Sequence, residues 1–214
     1  MKEIKSFKLF PNSGIKSLAY TDIMLKNLKD NGLEEREENF DLAIAIGGDD
    51  SFLRMVKNCN FNNDIIYVGV NAGTLGFLQD IDLNNIEEFM SSIRNNNYSI
   101  QEIDVLETNI KGISNNEKLY SLNEIVVRDF ALKTSFLDVY INDVFLEHFA
   151  GDGLLISSST GSTAYNCNLN GSIVYNDLHT LQLTPLAPIY NIVYTKKRIR
   201  SSCLWGCDCY RARC

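Results

Sequence analysis

No stretch of this sequence approaches the ~20 consecutive apolar residues that a membrane-spanning helix needs, so the expectation is no membrane. Basic residues are not in excess either. Lys and Arg number 20 against 27 Asp and Glu, a formal net charge of −7. That balance argues against nucleic acid or an anionic membrane surface as the main partner. The opening residues, MKEIKSFKLFPNSG, lack the apolar core of a secretory signal, and the expected location is cytoplasmic. Internal repeats and low-complexity linkers are absent. Histidine is scarce, and His148 and His179 match no motif. What is present is 214 residues, 45% of them hydrophobic. That suffices for a sizeable core in one large domain or two small ones.

Cysteine is distributed unevenly. Cys59 and Cys167 stand alone, whereas Cys203, Cys207, Cys209 and Cys214 crowd the end, in CLWGCDCYRARC. The spacing C-x3-C-x-C-x4-C is not a familiar structural zinc pattern, and no histidine is near it. The expectation is therefore no metal held by these thiols. Residues 196–214 also hold four of the eight arginines and the only tryptophan. So abrupt a change of composition marks residues 196–214 as an aberrant Cys/Arg-rich tail foreign to the fold, as out-of-frame translation would produce.

Hydrophobic periodicity organises the rest. KSFKLF reads as a first strand ended by PNSG. Ile15, Leu18, Leu25 and Leu28 mark a helical stripe that stops near Asn31-Gly32, a C-cap signal. LEEREEN is a charged, solvated connection. DLAIAIGGDDSFLRMV, residues 41–56, combines an apolar run with the length of a buried strand, two glycines, and helical spacing at Phe52, Leu53, Met55 and Val56. Asp50 or Ser51 is the expected N-cap. DIIYVGV is a further buried strand, and Ile86, Phe89, Met90 and Ile93 fall at i, i+3, i+4 and i+7 of an amphipathic helix. Strand and helix alternating in this way indicate a parallel sheet with helices on its faces. Beyond residue 98 the period changes to that of strands. FLDVYINDVFLEHF reads as a hairpin turning at Asn142-Asp143. The expected architecture is an α/β nucleotide-binding domain over residues 1–98, then an all-β domain over residues 99–195 that is shorter than usual and incomplete.

Three segments carry polar groups in apolar surroundings. In GGDDS, the glycine turn before a helix exposes N–H groups suited to phosphate, with Gly47, Gly48 and Asp50 as candidates. An ordinary strand-to-helix turn has the same pattern. In LNEIVV, Asn123 and Glu124 interrupt an apolar strand, as a strand end facing water also would. GDGLLISSSTGSTAYN ends in hydroxyls and glycines that suit either a plain loop or a nucleotide-binding nest.

Taken in order, IGGDDSFLR, VGVNAGTLGFL, SLNEIVVRD, GDGLLISSSTGSTAYN and LQLTPLAP resemble the NAD kinase family over roughly residues 38–191. The ordered set is far more specific than any member of it. The resemblance implies an N-terminal α/β domain, a C-terminal β domain and a homo-oligomer, a homodimer or homotetramer. The implied reaction moves a phosphoryl group from a nucleoside triphosphate to the 2′-hydroxyl of the NAD adenosine ribose, giving NADP. It further implies Mg²⁺ as the divalent metal, with ATP or polyphosphate as donor. Asp49, after the paired glycines, corresponds to the catalytic aspartate. Gly48, Asn71, Phe77, Asn123 and Glu124 correspond to residues around the nucleotide. Asp152 corresponds to the aspartate at the nicotinamide end, and Thr163, Ala164 and Tyr165 to those near the adenine.

Two departures from that pattern qualify the resemblance. The family turn usually reads Gly-Gly-Asp-Gly-Thr, and here Asp50 and Ser51 replace its last two residues. Asp50 adds a charge beside the expected polyphosphate, a reason to ask whether it shifts donor choice toward polyphosphate. The short β domain also leaves a second class open, a non-catalytic or truncated nucleotide-binding relative.

Overall fold

The computed structural model describes residues 3–73, 76–112, 116–189, 198–200 and 210–213. The chain divides into two compact units. One is Met1–Glu102 with Ala212–Cys214, the other Ile103–Arg211.

The first unit is built on parallel strands in the order β2-β1-β3-β4: β1 (Ser6–Pro11), β2 (Glu34–Glu35), β3 (Leu42–Gly47) and β4 (Ile66–Asn71). Every residue of β3 is buried, as its unbroken apolar run requires. Its start is pinned by Asp41, whose Oδ2 accepts from the backbone N–H of Lys5 and of Ser6, at 3.0 and 3.1 Å. Helices α1 (Ile15–Asp30), α2 (Asp49–Asn58) and α3 (Ile86–Arg94) complete the α/β unit. Its core joins Phe7, Met24, Leu28, Ile44, Ile46, Val70, Met90 and Ile93. A last strand, Tyr210–Arg213, sets Arg213 beside Ile66.

Two helix readings need correction. On α1 the buried face is Ser17, Met24 and Leu28, while Ile15 and Leu18 of the expected stripe are exposed. Ser17, Met24 and Leu28 are spaced i, i+7, i+11 and share one side, whereas Ile15 lies about 200° round from Ser17 at ~100° per residue. On α2 the cap is Gly48, not Asp50 or Ser51. Gly48 is extended (φ −103°, ψ −174°), and its carbonyl already accepts from Ser51 N–H at 2.9 Å. Both aspartates are thereby drawn into the first turn, where negative charge suits the helix dipole.

The second unit is β-rich. Strands β5 (Glu102–Lys111) and β6 (Asn116–Ser121) pair antiparallel. β8 (Ser135–Ile141) and β9 (Val144–Gly151) form the expected hairpin. Asn142 and Asp143 turn it with φ 51° and 62°, the left-handed pair of a type I′ turn. β7 (Glu124–Val127), β10 (Gly153–Ser157), β11 (Thr180–Leu186) and β12 (Arg198–Arg200) form an antiparallel sheet in the order β12-β11-β10-β7. A one-turn helix, α4 (Tyr165–Asn168), is the helical exception in this all-β expectation, following a 3₁₀ turn at Thr160–Thr163. Val139, Phe149, Leu154 and Leu183 form its core. β12 lies within residues 196–214, the segment expected to be foreign to the fold, and pairs with β11. The thiol cluster Cys203, Cys207, Cys209 and Cys214 lies outside the described residues.

Candidate active site

In the first unit, β1, β3 and β4 end in register, with Pro11 beside Ile46 and Gly47 beside Asn71. Their following loops therefore emerge along one edge, the carboxyl edge at which parallel sheets bind ligands. Asp49 opens α2 there. Its carboxylate accepts three hydrogen bonds: from Phe77 N–H to Oδ2 at 3.0 Å, from Leu78 N–H to Oδ1 at 2.9 Å, and from Gln79 Nε2 to Oδ1 at 2.8 Å. A carboxylate offers about four acceptor positions, so roughly one is left for a substrate hydroxyl or a cation.

The loop reaches Asp49 because it folds back over its own strand. Asn71 N–H donates to Ile81 at 2.8 Å, and Ile81 N–H returns a bond to Gly69 at 3.1 Å. A Cβ on Gly69 would lie 2.1 Å from the Leu78 carbonyl oxygen, so only glycine permits the crossing. The fold-back leaves Phe77 78% exposed, which rules out an ordinary core role for that ring. Asn71 Oδ1 accepts from Gly73 N–H at 2.9 Å. Asp50 is exposed in the first turn of α2, without a hydrogen-bonding or ionic partner among the described residues. Asn12, which the sequence reading passed over, leaves β1 at the same edge with its N–H on Ile46 O at 3.0 Å. Its place directly after a strand was the available signal.

The second unit gathers Asn123, Glu124 and the Ser/Thr loop into one structure. Glu124 stands opposite Ser157 in the pairing of β7 with β10. Asn123 O accepts from Ser158 N–H at 2.9 Å and from Ser158 Oγ at 3.1 Å. A Cβ on Gly161 would meet that same carbonyl oxygen at 2.0 Å. Most loop hydroxyls face inward. Ser157 bonds Ser158 O, Ser159 bonds Leu178 O, and Ser162 bonds both Val174 O and Val174 N–H. The choice between plain loop and nest thus divides by residue: the serines are scaffold, while Thr163 and Ala164 are half-buried and Tyr165 is exposed. Asn166 is fully buried and is a staple, accepting from Thr184 Oγ1 at 2.6 Å. Asp152 is exposed between β9 and β10, its N–H on Leu186 O at 2.9 Å.

Two atoms here lack what burial demands. Asn123 Oδ1 and Glu124 Oε2 are buried with no hydrogen-bond partner among the described residues. An unpaired buried acceptor costs about 1–3 kcal/mol, and burial also pushes the Glu124 carboxyl above its ordinary range. Both are acceptors, so they suit a ligand that brings donors, such as ribose hydroxyls or an exocyclic amine. By contrast, a cavity of about 490 Å³ in the first unit, lined by Ile66, Asp80, Glu88, Ser92 and Tyr98 among others, contains none of the candidate residues. Among the described residues no three His, Cys, Asp or Glu side chains are grouped to hold a metal.

Family models described as "ATP-NAD kinase N-terminal domain" and "ATP-NAD kinase C-terminal domain" match residues 4–98 and 122–198. An NAD kinase of Finegoldia magna is 41% identical over 196 residues, covering 89% of this chain and 71% of the relative. This chain belongs to the NAD kinase family. NAD kinase 2 of Halalkalibacterium halodurans is 35% identical, and the match spans 72% of this chain and 57% of that relative. The fold agrees with two solved structures. A yeast NADH kinase complexed with NADH superposes with a TM-score of 0.82 at 18% identity, over 95% of this chain and 68% of the other. An Archaeoglobus fulgidus NAD kinase in complex with ATP gives 0.74 at 19% identity, over 94% of this chain and 78% of the other. NAD kinase is thus the function of the family, and a non-catalytic relative is not the reading these likenesses favour. No helix of the described residues is long and apolar enough to cross a membrane.

Proposed function

We propose that this chain is an NAD kinase that transfers the terminal phosphoryl group of ATP to the 2′-hydroxyl of the NAD adenosine ribose. The observation that carries the reading is the pair of buried, unpartnered acceptors, Asn123 Oδ1 and Glu124 Oε2. Ribose hydroxyls are donors that would satisfy both. Thr163, Ala164 and Tyr165 would then border the adenine and Asp152 the nicotinamide end.

In the reaction, Asp49 accepts the proton as the 2′-O–H bond breaks, the freed oxygen bonds the γ-phosphorus, and ADP leaves with the electrons of the severed P–O bond. A positioned base is worth about 10²–10⁴-fold. Three donors hold the Asp49 carboxylate in one orientation, so little reorganisation remains for the reaction to supply. Gly47 and Gly48 bring the backbone close to the phosphates, Phe77 offers an apolar wall, and Asn71 holds the loop that carries it.

Mg²⁺ fits this donor set as an ion bound chiefly by phosphate oxygens and water with one carboxylate, since such sites need no all-protein cage. Asp50, exposed beside Asp49, would be the carboxylate to hold it, and the ion would neutralise charge on the phosphates. Polyphosphate as an alternative donor, a cytoplasmic location, and a homodimer or homotetramer in which Asp152 serves a shared site belong to the same proposal. Light scattering that found a fully active monomer would remove the shared site. The central test measures NADP formation by the purified chain and by Asp49→Asn. We expect loss of at least about a hundredfold in kcat for the amide. An Asp49→Asn protein with parental kcat would refute the assignment of the base.

A further inference from the structure

The contact between Gln79 and Asp49 is not implied by any motif, and it carries an inference of its own. Gln79 Nε2 donates to Asp49 Oδ1 at 2.8 Å across 30 residues of sequence. The other half of the amide, Oε1, is buried and has no hydrogen-bond partner among the described residues. The side chain is therefore held for what its nitrogen does, at the cost of leaving its oxygen unsatisfied. Gly76 makes the arrangement possible: a Cβ there would lie 2.2 Å from Gln79 Oε1 and 2.3 Å from Asp49 Oδ1. Both side chains pack against the bare Cα of one glycine.

We infer that Gln79 is a positioning residue for the phosphoryl transfer, orienting the Asp49 carboxylate through its Nε2–H. The inference rests on Asp49 being the base. The two backbone donors alone give Oδ1 and Oδ2 one bond each, from Leu78 and Phe77. They orient the carboxylate but leave a further acceptor position open on each oxygen. The Gln79 amide supplies the second bond to Oδ1 and so selects Oδ2, with its single backbone bond, as the oxygen that faces the 2′-hydroxyl. Gln79 touches neither substrate in this scheme.

The test compares the parent with Gln79→Met, which keeps the length and removes the donor, and with Gln79→Glu. Loss of a hydrogen bond to a charged group predicts a fall in kcat of about tenfold to a hundredfold, with KM for NAD within about twofold of the parent. Gln79→Glu sets a second carboxylate against the first, and its carboxyl regains an O–H donor only when protonated. Beside a like charge that occurs above the ordinary ~4.3. Its kcat relative to the parent therefore rises as the pH is lowered from about 8 to about 5.5, which a purely structural role would not produce. Parental kcat in Gln79→Met alongside an inactive Asp49→Asn overturns the role of Gln79 and leaves the base in place. Full activity in Asp49→Asn instead overturns the base. Should Gln79→Met fail to fold, the Gln79→Glu ratio decides: a flat ratio across the pH range refutes the inference, a rising one upholds it.

Discussion

Replacing Gly161 by alanine tests whether the Asn-Glu pair and the Ser/Thr loop are one binding element. The added Cβ would lie 2.0 Å from Asn123 O, 2.4 Å from its carbonyl carbon and 2.8 Å from its Cα. All three are backbone atoms, so no side chain can swing away. A tolerable C···O approach is about 3.3 Å, so the turn and β7 must part by more than an ångström. That separation strains the two bonds from Ser158 to Asn123 O, at 2.9 and 3.1 Å. Two hydrogen bonds at ~1 kcal/mol each and an overpacking cost of about 1–3 kcal/mol together predict a loss of roughly 3–5 kcal/mol. The same movement displaces Asn123 Oδ1 and Glu124 Oε2, so NAD affinity should fall by about tenfold or more. Urea denaturation reads the first effect and calorimetric titration with NAD the second. Gly73→Ala is the control. Nothing lies within 4 Å of a Cβ there, and its stability should stay within about 0.5 kcal/mol of the parent. A Gly161→Ala protein with parental stability and parental NAD affinity would refute the close packing and the binding role drawn from it.

Burial raises the Glu124 carboxyl above its ordinary value of 4.5, so between that value and the folded one the native state holds more protons than the unfolded chain. The contribution of this group to stability is present at acid pH and is lost as pH rises through the folded value. Glu124→Gln should accordingly gain in urea midpoint relative to the parent as pH rises across that window, while binding NAD about tenfold more weakly; a pH-independent difference would contradict the burial argument. Asp50 is exposed, so its direct repulsion of a phosphate at ~4 Å is about 1 kcal/mol in a water-like dielectric, and a Mg²⁺ held there would serve ATP and polyphosphate alike. Asp50→Gly should therefore alter the ratio of kcat/KM for ATP to that for polyphosphate by no more than about fivefold, and a larger change would show that the aspartate governs donor choice.

Local patterns were enough to find the secondary structure that has a strong period of its own. The apolar run of β3, the heptad-like spacing of α3 and the Asn142-Asp143 turn were all readable, because each is decided by residues within one or two turns of chain. The ordered motifs pointed to the family for a related reason, since each preserves a short backbone conformation together with its functional side chains. The reading failed where a face or a boundary depends on what lies opposite. Ile15 and Leu18 are apolar and well spaced, yet the sheet is met by Ser17, Met24 and Leu28. Asp50 and Ser51 are good cap formers, yet the backbone of Gly48 begins the helix earlier.

The amino-acid sequence by itself determined the parallel α/β unit, the β-rich unit and the family, since period, turn chemistry and motif order are properties of neighbouring residues. Tertiary structure alone decided which polar groups are scaffold and which are available. Ser157, Ser159 and Ser162 turn inward onto backbone atoms, while Asn123 Oδ1 and Glu124 Oε2 are buried without a partner. It also brought Gln79 to Asp49 and packed Gly161 against Asn123. Such contacts join residues some 30 to 40 positions apart, and their distances are set by how closely two stretches of backbone can approach, which no local pattern records.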